Sequence, residues 1–85
     1  MDKGILYFSA PWCEACGVLL PVINNLEKKG MKIKKVNLDY DAAMQERYNV
    51  KTIPTLILTD MGGQEIKRAQ AGGWTQEQVV NWFNS

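Results

Sequence analysis

Cys13 and Cys16, separated by Glu14 and Ala15, are the residues whose types and spacing can carry chemistry in this chain. Residues three apart on a helix share one face. Two sulfurs so placed meet across one turn and can form a disulfide with little backbone movement. A cysteine at a helix start faces unpaired N–H groups and the positive end of the macrodipole, which favour an anion. That lowers the thiol pKa of Cys13 and makes its thiolate the attacking species. Cys16, one turn deeper, is expected to be less exposed. The spacing therefore predicts a redox couple: Cys13 attacks a substrate disulfide, and Cys16 then attacks Cys13 and releases the reduced substrate. The resulting Cys13–Cys16 disulfide needs an external reductant.

Other uses of two cysteines fit less well. A zinc site needs about four ligands, and two thiols without histidine supply half of them; carboxylates or a second chain would have to complete it. No metal site is expected. A c-type haem attachment needs histidine after the second cysteine, where Gly17 stands. Two buried, inert cysteines are a further alternative. As a staple, so short a loop adds little chain-entropy stabilisation.

Composition bounds the setting. Eighty-five residues fit one domain with a compact, simple core. The chain is 46% hydrophobic and 22% charged, ordinary values for a globular protein. A formal net charge of +1 points neither to nucleic acid nor to an anionic membrane surface. No segment approaches the roughly 20 apolar residues of a membrane span. The apolar run Ile5–Phe8 is too short for a signal-peptide core. The chain is expected in the cytoplasm, as a monomer.

The elements that must position the cysteines alternate between strand and helix patterns. Lys3 to Ser9 reads as a strand, near-continuously apolar as in a buried central position. Ala10-Pro11-Trp12 breaks it, and Cys13 to about Lys29 reads as a helix with Leu19, Val22, Ile23 and Leu26 at helical spacing. Pro21 inside it is expected to kink it. Met31 to Asp39 reads as a second strand whose phase shift between Ile33 and Val36 suggests burial on both faces of its later half. Asp41 can cap a short helix over Ala42 to Tyr48. Thr52 to Thr59 is a third strand, Asp60-Met61-Gly62-Gly63 a hairpin turn, and Gln64 to Ala71 a fourth strand. Thr75 with Gln78 makes a capping box for a last helix ending near Phe83. The order β-α-β-α-β-β-α implies an α/β fold, a mixed four-stranded sheet with three helices on its faces. It places the helix start carrying Cys13 at the C-terminal end of the first strand, where sites in open α/β sheets gather.

Ala10-Pro11-Trp12-Cys13-Glu14-Ala15-Cys16 resembles the A-x-W-C-x-x-C signature of thioredoxins. Thr52-Ile53-Pro54-Thr55 looks like their cis-proline loop, Pro21 matches the proline of their active-site helix, and Gly72 falls where they keep a glycine beside the substrate groove. The resemblance runs from about Ile5 to Phe83. It lacks their usual first strand and helix and so corresponds to a minimal thioredoxin-like fold, shared with glutaredoxins. It implies reduction of protein disulfides without a bound cofactor, with disulfide-containing proteins as substrates and a thioredoxin-reductase-type enzyme or glutathione as reductant. It also implies that Pro54 is cis and faces the cysteines, and that the backbone of Ile53 pairs with an extended substrate segment. Trp12 would shield the site, and Gly72 would let substrate backbone approach. The plainer alternatives are a strand-edge proline, a packing aromatic and a simple turn.

The sequence departs from that pattern around the cysteines. Glu-Ala replaces the usual Gly-Pro, and the Glu14 carboxylate beside Cys13 opposes thiolate formation; it is equally a favourable acid in a helix's first turn. Tyr7 stands where thioredoxins carry a buried aspartate. Lys35 matches a lysine near that aspartate, or is one of the surface group Lys32, Lys34 and Lys35. Tyr7, Glu14 and Lys35 are thus the candidate acid–base modulators of Cys16. Phe8-Ser9, the short length and Gly72-Gly73-Trp74-Thr75 echo glutaredoxins. Trp12 beside Cys13 and the missing Pro-Tyr pair speak against them. Glutathione-dependent chemistry and a redox-independent binding subunit are the alternatives to a protein-disulfide reductase.

Overall fold

The structure, a computed structural model, describes residues 3–85. The early apolar run becomes β1 (Gly4–Ser9), followed by α1 (Glu14–Lys28), β2 (Ile33–Asn37), α2 (Ala42–Arg47), β3 (Thr55–Thr59), β4 (Glu65–Gln70) and α3 (Gln76–Asn84). The strands form one mixed sheet in the order β2-β1-β3-β4. β1 pairs parallel with β2 and antiparallel with β3, and β4 continues the sheet antiparallel to β3. The fold is the β-α-β-α-β-β-α arrangement with four strands and three helices. β1 and β3 are central, which explains why their apolar residues do not alternate with polar ones: both faces are covered.

Strand alternation divides the core in two. Ile5 and Tyr7 of β1 join Leu56 and Leu58 of β3 on the face covered by α1 and α3, against Leu19, Ile23, Leu26 and Val79. Leu6 and Phe8 join Val36 and Ile57 on the opposite face, against Tyr48 and Val50 at and beyond the end of α2. α1 places Cys16, Leu19, Ile23 and Leu26 on its buried stripe. Pro21 lies within α1 on the exposed side and does not end it.

Two expectations need correction. β2 is shorter than the span Met31 to Asp39, and its later half is not buried on both faces. It is an edge strand in which Ile33 and Val36 are buried while Lys34 and Lys35 are exposed. Charged residues on such an edge discourage pairing with other chains. β3 begins at Thr55 and not Thr52, because residues 52–54 form a bend that ends in Pro54. In that bend the Thr55 hydroxyl donates to the Thr52 carbonyl at 2.6 Å.

The helix starts are capped as their sequences predict. Asp41 accepts from the Met44 N–H at 3.2 Å. The Gln78 N–H donates to the Thr75 hydroxyl at 3.3 Å, and the Thr75 N–H to the Gln78 side-chain oxygen at 2.8 Å. Thr75→Ala removes the cap and is expected to cost about 0.5–2 kcal/mol. A lowered urea midpoint with unchanged thiol reactivity would show it, since α3 meets the redox helix through the shared core and through the Asn25 amide donating to the Gln76 side-chain oxygen, in the half of α1 away from the cysteines.

Candidate active site at the first turn of α1

A tight turn leads from β1 into α1, closed by the Cys13 N–H donating to the Ala10 carbonyl at 3.1 Å. Cys13 is the N-cap of α1, in extended conformation. Its carbonyl accepts the Gly17 N–H at 3.1 Å, and its sulfur accepts the Cys16 N–H at 3.2 Å. The sulfur thus occupies the place a serine or aspartate oxygen takes in ordinary caps, where a backbone donor and the helix dipole both favour negative charge. Cys13 and Cys16 are joined by a disulfide with their Cα atoms 5.2 Å apart. Cys13 is half-buried, whereas Cys16 is only 2% exposed.

Three segments meet around this pair. The Ile53–Pro54 peptide bond is cis, Pro54 is buried and Ile53 is half-buried between the two cores. The Pro54 carbonyl accepts the Ala71 N–H at 3.3 Å, which brings Gly72 alongside. A Cβ on Gly72 would stand 3.8 Å from Pro54 Cδ and 3.9 Å from Ala15 Cβ. The first turn of α1, Pro54 and Gly72 are therefore neighbours with no side chain from Gly72 between them. Trp12 is 69% exposed, and its indole N–H donates to the Asp39 carboxylate at 3.1 Å. Asp39 escapes sequence reasoning, since it lies in the loop after β2 and meets Trp12 only in the folded chain.

The three candidate modulators separate. Glu14 is exposed in the first turn of α1. Lys35 does not turn toward the cysteines: its ammonium bonds Asn24 and pairs with Glu27 at 3.0 Å, on the second half of α1. Tyr7 does reach the site, where its hydroxyl donates to the Cys16 carbonyl at 2.6 Å. Burial pushes the Tyr7 phenol above its usual range and outweighs Ser9, which acts in the opposite sense. It therefore stays protonated at neutral pH and serves as a donor, not as a base. On the side of α1 facing β2, a cleft of about 270 Å³ opens onto the pair, lined by Tyr7, Ser9, Cys13, Cys16, Leu20 and Asn37 among others.

A vicinal cysteine pair on a helix cap, one sulfur accessible and the other enclosed, at the C-terminal end of a central strand, is the working centre of a thiol–disulfide oxidoreductase. Comparison with known proteins places the chain more narrowly. The thioredoxin family model matches residues 1–85. The chain is 34% identical over 83 residues to thioredoxin of Haemophilus influenzae, covering 94% of this chain and 76% of that one. It is 41% identical over 79 residues to thioredoxin of Chlamydia pneumoniae, covering 91% and 76%. A thioredoxin variant from Halobacterium salinarum shares the fold with a TM-score of 0.86 at 24% identity, covering 98% of this chain and 73% of that one. The chain belongs to the thioredoxin family and is a disulfide oxidoreductase. Among the described residues no helix is long and apolar enough to cross a membrane.

Proposed function

We propose that the chain reduces protein disulfides, with Cys13 as the attacking sulfur and Cys16 as the resolving one. The observation that carries this order is the asymmetry of the pair. Cys13 is the accessible N-cap whose sulfur already accepts a backbone N–H, and Cys16 is enclosed. A substrate disulfide can therefore reach Cys13 first, and the thiolate formed there has a donor waiting.

The substrate lies across Trp12, Ile53, Pro54 and Gly72 in this reading. The closeness of Gly72 to Pro54 and Ala15 supports it, because a bare backbone there leaves room for an extended segment to pair with the residues around Pro54. Trp12, held by Asp39, offers a broad apolar rim beside Cys13. The reductant that restores the dithiol is a thioredoxin-reductase-type enzyme or glutathione. The cytoplasm, as a reducing compartment, suits a couple that must be returned to the dithiol after each cycle.

Reduction of insulin with dithiothreitol as electron source tests the assignment. The wild-type chain accelerates precipitation of the insulin B chain, and Cys13→Ser is expected to reduce the rate to that of dithiothreitol alone. Undiminished acceleration by that variant would remove Cys13 from the attacking role.

A further inference from the structure

The two halves of the reaction make different demands on the protein. In the first, Cys13 needs accessibility. In the second, Cys16 must lose its proton and come back to within bonding distance of Cys13, whose sulfur now carries the substrate. What surrounds Cys16 therefore governs the second half.

On the sheet side, Cys16 meets Tyr7, which is 1% exposed and sits in the middle of β1, paired with Lys35 of β2 and Leu56 of β3. Its hydroxyl has one proton to donate, and that proton goes to the Cys16 carbonyl. The hydrogen bond ties the first turn of α1 to a central strand of the sheet. The remaining charged groups on this side of the sheet are engaged elsewhere or face solvent. Lys35 of β2 is held by Asn24 and Glu27. Lys67 of β4 donates to Trp82 of α3 and to Ser85, which caps that helix. Glu14 of α1 and Glu77 of α3 are exposed, and β3 presents Leu56 and Leu58. The opening to water is the cleft lined by Ser9, Leu20 and Asn37, large enough for several water molecules at about 30 Å³ each.

We propose that Tyr7 is a positioning residue for the second half of the reaction: its hydroxyl holds Cys16 against the sheet, while the Cys16 proton leaves to water in the cleft beside Asn37. The inference rests on Cys16 being the resolving sulfur. Written out, the Cys16 thiol gives its proton to water. Its sulfur then attacks Cys13 Sγ, the Cys13–Cys16 bond forms, and the bond from Cys13 to the substrate sulfur breaks. The substrate sulfur leaves with the electron pair and takes a proton from water. Over both halves the dithiol gives two electrons and two protons to the substrate disulfide. Fixing Cys16 raises the fraction of time its sulfur spends in line with Cys13, the usual benefit of intramolecular orientation.

The test is rapid mixing of the reduced chain with the symmetric disulfide of thionitrobenzoate. Attack by Cys13 releases one coloured thiolate, and attack by Cys16 releases the second. Tyr7→Phe is expected to slow the second phase about five- to tenfold, the scale of one lost net hydrogen bond. The first phase should stay within about twofold, because the variant leaves the Cys13 cap intact. An unchanged second phase, or equal slowing of both, overturns the proposal. If Tyr7→Phe loses its fold, a fluorotyrosine at position 7, a stronger donor, should quicken the second phase alone; no change there overturns the proposal equally. The wild-type second phase should follow a single thiol ionisation. An inflection in the carboxylate range would restore a buried base and overturn the water route. Cys16→Ser separates this from the underlying assignment: it should abolish the second phase and keep the first. Loss of the first phase instead would sink the order of the cysteines, not the role of Tyr7.

Discussion

Cys16→Ser is expected to stop turnover while leaving the chain able to bind one equivalent of substrate covalently through Cys13. The reason lies in the geometry of release. In the wild-type chain the mixed disulfide on Cys13 is attacked by a sulfur whose Cα is 5.2 Å from that of Cys13. Well-oriented intramolecular groups act as though present at about 10⁵ M or more. With the serine in place, only external thiol at millimolar concentration can release the substrate, so steady-state reduction should fall by at least about a thousandfold. The fold should survive, because serine is smaller than cysteine and the Cys16 N–H still caps on the Cys13 sulfur. Mass spectrometry of the variant after exposure to a disulfide-bonded protein should show a 1:1 adduct that dithiothreitol reverses. Turnover within tenfold of wild type would show that Cys16 is not the resolving group. The captured partners would also name the substrates.

The second large effect concerns stability. Phe8→Ala is expected to cost about 3–5 kcal/mol, the range for truncating a buried aromatic ring. Phe8 is 0% exposed, and its ring meets Tyr48 edge-on with centroids 6.1 Å apart. The core on that face is small, with Leu6, Phe8, Val36, Tyr48, Val50 and Ile57 buried in it. Little neighbouring bulk is available to collapse into the gap. Tyr48 in turn bonds the Gly63 carbonyl, so the loss spreads to the β3–β4 hairpin. A chain of this length has a total stability on the order of 4–13 kcal/mol. The variant should therefore lose about a quarter of it or more, seen as a fall in the urea midpoint without a change in slope. The cysteines lie on the opposite face, so thiol reactivity at low temperature should persist. A cost below about 1 kcal/mol would mean that the α2 face is loosely packed.

Much of this was legible in the sequence, because the signals were local. The unbroken apolar run at Ile5–Phe8 is what a strand covered on both faces requires. Cys13 and Cys16 take their places from the strand–helix junction between Ser9 and Glu14, and the Thr75–Gln78 cap is written within four residues. The failures share a physical cause. Whether a strand lies at an edge depends on which strands pair with it, and so the two-sided burial expected of the later half of β2 did not hold, although Lys34 and Lys35 take the surface positions their grouping suggests. The phase of Tyr7 in β1 shows that it is buried but not which acceptor its hydroxyl finds; the Cys16 carbonyl is brought there by the packing of α1. The same holds for Trp12 and Asp39, which come from different loops, and for Lys35, whose ammonium follows Glu27. The bend at residues 52–54 shortens β3 because Pro54 cannot donate to a strand ladder.

The pairing of β1 with β3 has a consequence for how the chain reaches this state. Gly4 stands opposite Thr59 in that register, so the central pair of the sheet closes a loop spanning most of the described residues. Contacts so distant in sequence are entropically costly to make and tend to limit the rate of folding. The segment through α2 holds both cysteines, whereas Pro54 and Gly72 arrive with the segment that follows. The surface beside the dithiol is therefore assembled only when the two halves of the chain dock. A nascent chain interrupted before β3 would carry the reactive thiols without the groove that selects what they react with.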